Sequence, residues 1–162
     1  MAYDVGIVDC VAQPAVVLRL KVRRQDFLAR FPAALAEVTD YVRNEGGSLA
    51  GPPFCTYHEF GAFAIDFEAG VPVERPLAGG ERVRAAVTYA GKAAATTHVG
   101  PIASVRPAHI AVNRWIERHG ARRTGQPMER YLAHETAEPG SADWRTQVLW
   151  PIAAEAGAGG SR

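Results

Sequence analysis

The sequence predicts an α+β domain: a duplicated β-α-β-β module, a mainly antiparallel sheet, and two long helices covering one face. Three observations carry that expectation. Tyr41, Gly46, Gly51, Pro53 and Tyr57 return 74 residues later as Trp115, Gly120, Gly125, Pro127 and Tyr131, without a gap. A fixed offset of this kind marks one supersecondary unit used twice, neither copy able to bury its apolar face alone. Several short runs have strand composition, one of them alternating with a period of two, and each copy holds one stretch with apolar residues three or four apart, closed by glycine.

Val5 to Val11 and Val16 to Val22 read as strands, the second because Val16, Leu18, Leu20 and Val22 alternate with Val17, Arg19, Lys21 and Arg23. Gln13-Pro14 separates them. Phe27, Phe31, Leu35, Val38 and Val42 form a helical stripe opening at Asp26, an N-cap residue type, and ending at Gly46-Gly47. Pro32 falls in its opening turns, so the helix either starts after Asp26 or kinks there. Phe54 to Phe60 and Phe63 to Val71 are the next strands, turned at Gly61, and Pro72 to Arg82 is a polar, turn-rich link.

The second copy follows the same order. Val83 to Tyr89 and Lys92 to Val99 supply strands, and Ile102, Val105, His109, Val112 and Ile116 form a helical stripe stopped by Gly120. Pro127 to Leu132 and Thr146 to Ile152 close the sheet around a loop from His134 to Asp143. The expected organisation is one domain over residues 1–152, with modules at about 3–73 and 83–152. A Gly-rich tail over 153–162 is expected to be disordered.

Composition excludes several classes. With 48% hydrophobic residues, 22% charged and a net charge of +1, the chain has neither a basic excess for nucleic acid nor an acidic run. Its longest apolar stretches are too short for a membrane span, and Met-Ala-Tyr-Asp lacks the features of an export signal, so a cytoplasmic protein is expected. Two cysteines, Cys10 and Cys55, are too few for a disulfide framework or a cysteine zinc site. The five histidines have no metal-ligand spacing, and neither a nucleophile elbow nor a phosphate loop is present, so no metal and no cofactor are expected.

Side chains alternate across a strand, so Glu129 and Tyr131 share a face with Pro127, and the offset puts Cys55 and Tyr57 on the matching face of the first copy. Convergence of Tyr57, Tyr131 and Glu129 at the seam between copies would give one carboxylate in an aromatic wall, which suits a flat cation. The alternative is that Glu129 is an exposed residue pairing with Arg130 or Arg145 while the tyrosines cover the core. Trp115 suits helix-to-sheet packing, and Trp150, before Pro151, suits a rim or a wall. His98, ahead of Gly100-Pro101, either donates to a ligand or makes a structural hydrogen bond.

Taken in order, these segments resemble a known family: Gly51-Pro52-Pro53-Phe54 with Tyr57; Asp66 and Val71-Pro72-Val73; His98-Val99-Gly100-Pro101; Trp115-Ile116 before Gly120; Gly125, Pro127, Glu129 and Tyr131; and Thr146 with Trp150-Pro151-Ile152. They are similar to the GyrI-like small-molecule-binding domain, also the effector-binding module of AraC-type and MerR-type multidrug-sensing regulators. The resemblance runs from about Tyr3 to Ile152. It implies two fused SHS2-like units with a central aromatic groove holding a glutamate, at the position of Glu129. The implied ligand-binding set is Glu129, Tyr57, Tyr131, Trp115, Trp150, Phe54, Cys55 and His98, with Glu129 and Tyr57 catalytic if the protein is an enzyme.

Three functions follow as expectations. The leading one is binding and sequestration of hydrophobic, cationic aromatic small molecules, because a cation would recover the cost of burying the carboxylate. The second is hydrolysis of cyclopropane-bearing genotoxins, with Glu129 as general base. The third is inhibition of a topoisomerase, suggested by the family name. No DNA-binding segment precedes Tyr3, so no direct nucleic-acid contact is expected, and no membrane partner. The oligomeric state is left open.

Overall fold

Alternation and helical periodicity translate into structure almost element for element. The computed structural model describes residues 2–132 and 136–154. Its strands are β1 (Gly6–Cys10), β2 (Pro14–Arg23), β3 (Phe54–Phe60), β4 (Ala64–Pro72), β5 (Val83–Val87), β6 (Gly91–Val99), β7 (Met128–Tyr131) and β8 (Arg145–Pro151). The helices are α1 (Phe27–Asn44) and α2 (Arg106–Arg118). His134 and the expected disordered tail from Glu155 onward lie outside the described residues.

Contacts divide the chain into two units, Ala12–Tyr89 and Met1–Val11 with Ala90–Arg162. In the first, four antiparallel strands run in the order β3-β4-β2-β5, with Val16 opposite Val71 on one side and Ala85 on the other. In the second, the order is β1-β6-β8-β7, again antiparallel. This differs from modules at 3–73 and 83–152: β1 pairs with β6 and β5 with β2. The reason lies at Gln13-Pro14. Pro14 opens β2 without an amide hydrogen, and Gln13 exchanges bonds with Thr88, donating to its hydroxyl and accepting its amide. The chain therefore does not turn back from β2 onto β1 as a hairpin.

Each unit packs one helix on its sheet. In the first, α1 buries Phe27, Phe31, Ala34, Val38 and Val42, with Phe27 edge-on to Phe67 at 5.0 Å between ring centres. In the second, Ala108, Val112 and Ile116 of α2 bury against Ala94, Val148 and Ile152. Helix α1 starts immediately after Asp26 and continues through Pro32, and Asp26 pairs with Arg23 instead of capping the helix. Among the described residues no helix is long and apolar enough to cross a membrane.

The two units share several features of backbone geometry. Both helices stop at a glycine in the left-handed region, Gly46 at φ 73° and Gly120 at φ 65°. Ala50 then donates to the carbonyl of Pro72, as Thr124 does to that of Pro151. Leu49 bridges Val73, as Arg123 bridges Ile152. These pairs make β4 and β8 equivalent strands and align Val71 with Trp150.

Candidate functional site

Strand β7 follows Pro127, and its alternation turns Glu129 and Tyr131 to one face. Their partners in β8 are Val148 and Thr146, and Val148 belongs to the core under α2, so this face looks toward the helix. Glu129 is only 1% exposed and Tyr131 is fully buried. A carboxylate so placed must find donors, and it does. The Tyr131 hydroxyl donates to Oε1 at 2.8 Å, and Oε2 lies 2.7 Å from Nε2 of His109, in the first turn of α2. From β8, the Trp150 indole N–H donates to the other ring nitrogen of His109 at 3.0 Å. Trp150, His109, Glu129 and Tyr131 thus form one hydrogen-bonded chain drawn from three elements.

The repeat supplies an internal comparison. The positions equivalent to His109, Glu129 and Trp150 are Leu35, Cys55 and Val71. Cys55 and Val71 are fully buried and Leu35 half-buried, so the same scaffold folds there with apolar side chains. Packing therefore does not demand the polar chain in the second copy. Only the tyrosine, Tyr57 for Tyr131, is shared.

Each remaining site candidate has surroundings of its own within its unit. His98 is buried in β6 with both ring nitrogens committed, Nδ1 to the Tyr3 hydroxyl at 2.8 Å and Nε2 to Ser104 Oγ at 3.1 Å. Since Ser104 Oγ donates to the Pro101 carbonyl, His98 donates to it from Nε2. Tyr3 and His98 line a cavity of about 690 Å³ along β1 and β6 that Glu129 does not reach. Trp115 packs at the margin of the α2 core and stacks on His119 at 4.0 Å. In the other unit, Tyr57 is buried between Phe27 and Phe60, with ring centres 5.9 and 5.4 Å away. Cys55 is buried beside it in β3, and the Phe54 ring lies over Gly70.

Sequence reasoning placed Glu129, Tyr131 and Trp150 among the candidates but passed over His109. It lies in the apolar stripe of its helix, where a lone histidine carries no spacing signal. The available clue was its opposite number in the repeat, an ordinary half-buried leucine.

Residues 3–153 match the family model described as the GyrI-like small molecule binding domain. No curated protein is similar enough to match. The crystal structure of the EcmrR C-terminal domain superposes with a TM-score of 0.82 at 23% identity, covering 94% of this chain and 99% of that one. In a cryo-EM structure of an EcmrR–DNA complex, the chain spans 57% of the EcmrR length, with 93% of itself covered, at 22% identity and TM-score 0.82. SAV2435 bound to tetraphenylphosphonium shares the fold at TM-score 0.62 and 13% identity, with 95% of each chain covered. A hydrolase from Listeria innocua does so at 0.58 and 15%, covering 92% of this chain and 91% of that one.

Proposed function

Because the chain belongs to the GyrI-like small-molecule-binding family, we propose that it binds hydrophobic, cationic aromatic molecules through Glu129. The observation carrying this reading is the nearly inaccessible Glu129 carboxylate, held by Tyr131 and His109 in the one copy of the repeat that has an acid. A buried carboxylate is costly, and a scaffold that folds with cysteine at the equivalent place keeps such a group for use. Aromatic neighbours give an apolar cation its contact surface, and the acid gives it a charge partner. Binding of tetraphenylphosphonium by SAV2435, a protein of the same fold, supports this class of ligand.

The test is a calorimetric titration with tetraphenylphosphonium and neutral triphenylphosphine oxide, on the wild type and on Glu129→Gln. The wild type prefers the cation, and the variant loses about tenfold or more of that preference, as expected for removing a partly desolvated charge partner. Equal affinities in the wild type would reject the reading.

A second reading is hydrolytic, and the contact between His109 and Glu129 favours it. A carboxylate held by an imidazole can take a proton from water as the water attacks, while a tyrosine hydroxyl donates to the oxyanion that develops when a carbonyl-conjugated cyclopropane opens. The Listeria innocua hydrolase of the same fold supports it. Turnover of such a cyclopropane, lost in Glu129→Gln, would establish it; stoichiometric capture without product would reject it.

A further inference from the structure

The hydrogen bonds around Glu129 have a direction, and the direction fixes a charge. An indole N–H donates and has no acceptor, so Trp150 Nε1, 3.0 Å from His109 Nδ1, makes that nitrogen the acceptor. The ring proton then resides on Nε2, which donates to Glu129 Oε2 at 2.7 Å. A contact that distance alone would class as an ion pair is therefore a neutral imidazole on a carboxylate. The Tyr131 hydroxyl, which donates to Oε1, is also neutral.

We infer that Trp150 acts as a positioning residue that sets the charge of the ligand site: by occupying His109 Nδ1 it keeps the imidazole neutral, so His109 and Glu129 together present one negative charge. Without the indole N–H, Nδ1 can take a proton, and the pair becomes a zwitterion of no net charge. A monocation is attracted to the first arrangement and not to the second. The selected ligand class is thus a singly charged hydrophobic cation, and the residue enforcing the selection reaches it through the histidine. This extends the proposed reading of Glu129 and rests on it. The repeat supports it, since Leu35 and Val71 are both apolar, so histidine and tryptophan occur together on two separate elements of the second copy only.

The tautomer is read directly from long-range ¹⁵N–¹H spectra of the imidazole in the intact wild-type protein at neutral pH. The expected result is a proton on Nε2 and none on Nδ1; a doubly protonated ring, or a proton on Nδ1 alone, would overturn the inference without any variant. Trp150→Phe keeps an aromatic ring and removes the donor. In it both nitrogens become protonated, and the preference for tetraphenylphosphonium over triphenylphosphine oxide falls at least about tenfold. An unchanged preference in the variant overturns the role of Trp150 alone, whereas a wild type that binds the two probes equally overturns the reading of Glu129 beneath it.

Discussion

At the scale of single residues, Tyr131 and His109 do different work on one carboxylate. Tyr131 is fully buried and its hydroxyl donates to Oε1, so Tyr131→Phe removes a charge-assisted hydrogen bond from a group that water does not replace. Chemical denaturation should show a loss of about 1.5–3 kcal/mol. A loss within error would mean that the hydroxyl is not bonded as described. Glu129 was legible in the sequence because a strand's period of two puts it beside Tyr131. His109 was not, because its partner carboxylate is 20 residues away and only the fold brings them together.

At the scale of elements, the strands and helices among the described residues were legible from alternation in β2, from strand composition and turn signals in the others and from the apolar stripes of α1 and α2, and the helix stops because Gly46 and Gly120 recur at the repeat offset. The pairing of β1 with β6 was not legible from the sequence; it accompanies the hydrogen bonds between Gln13 and Thr88, one to the Thr88 hydroxyl and one from its amide. The glycines test the local account. A Cβ at Gly120 meets nothing within 4 Å, so Gly120→Ala should cost only the left-handed backbone strain, about 1–2 kcal/mol. At Gly70 a Cβ would sit 2.6 Å from Phe54 Cζ and 2.8 Å from Val17 Cγ1. Gly70→Ala should therefore act by overpacking, at about 1–3 kcal/mol, and be relieved by Phe54→Leu where Gly120→Ala is not. Equal response of both glycine variants to Phe54→Leu in thermal melts would contradict this.

At the scale of the whole chain, the repeat separates what folding requires from what it does not. Copying the acid into the first copy, as Cys55→Glu, places a carboxylate where Tyr57 corresponds to Tyr131 but Leu35 stands in place of the donating histidine, and should lower stability by about 3 kcal/mol or more. Survival of that variant at wild-type stability would mean the first copy can hold a charge. Acid sensitivity is also a property of the whole chain. Asp66 and Glu37 are held below the ordinary carboxylate range, each first by hydrogen bonds from an arginine, Arg19 and Arg82 respectively. Lowered folded values mean that their contribution is present above the unfolded carboxylate range and lost as pH falls through the folded ones. Both pairs are largely solvated, so Arg82→Gln should flatten the acid limb of the stability curve only slightly and leave neutral pH nearly unchanged. A larger loss at neutral pH would point to packing by the arginine stem.

A cation should lodge against Glu129. A crystal soaked with tetraphenylphosphonium should place the phosphorus within about 4–6 Å of the Glu129 carboxylate, the range in which opposite charges bias each other. The probe bound elsewhere, for instance in the cavity along β1 and β6, with Glu129 still closed off by its tyrosine and histidine, would contradict it.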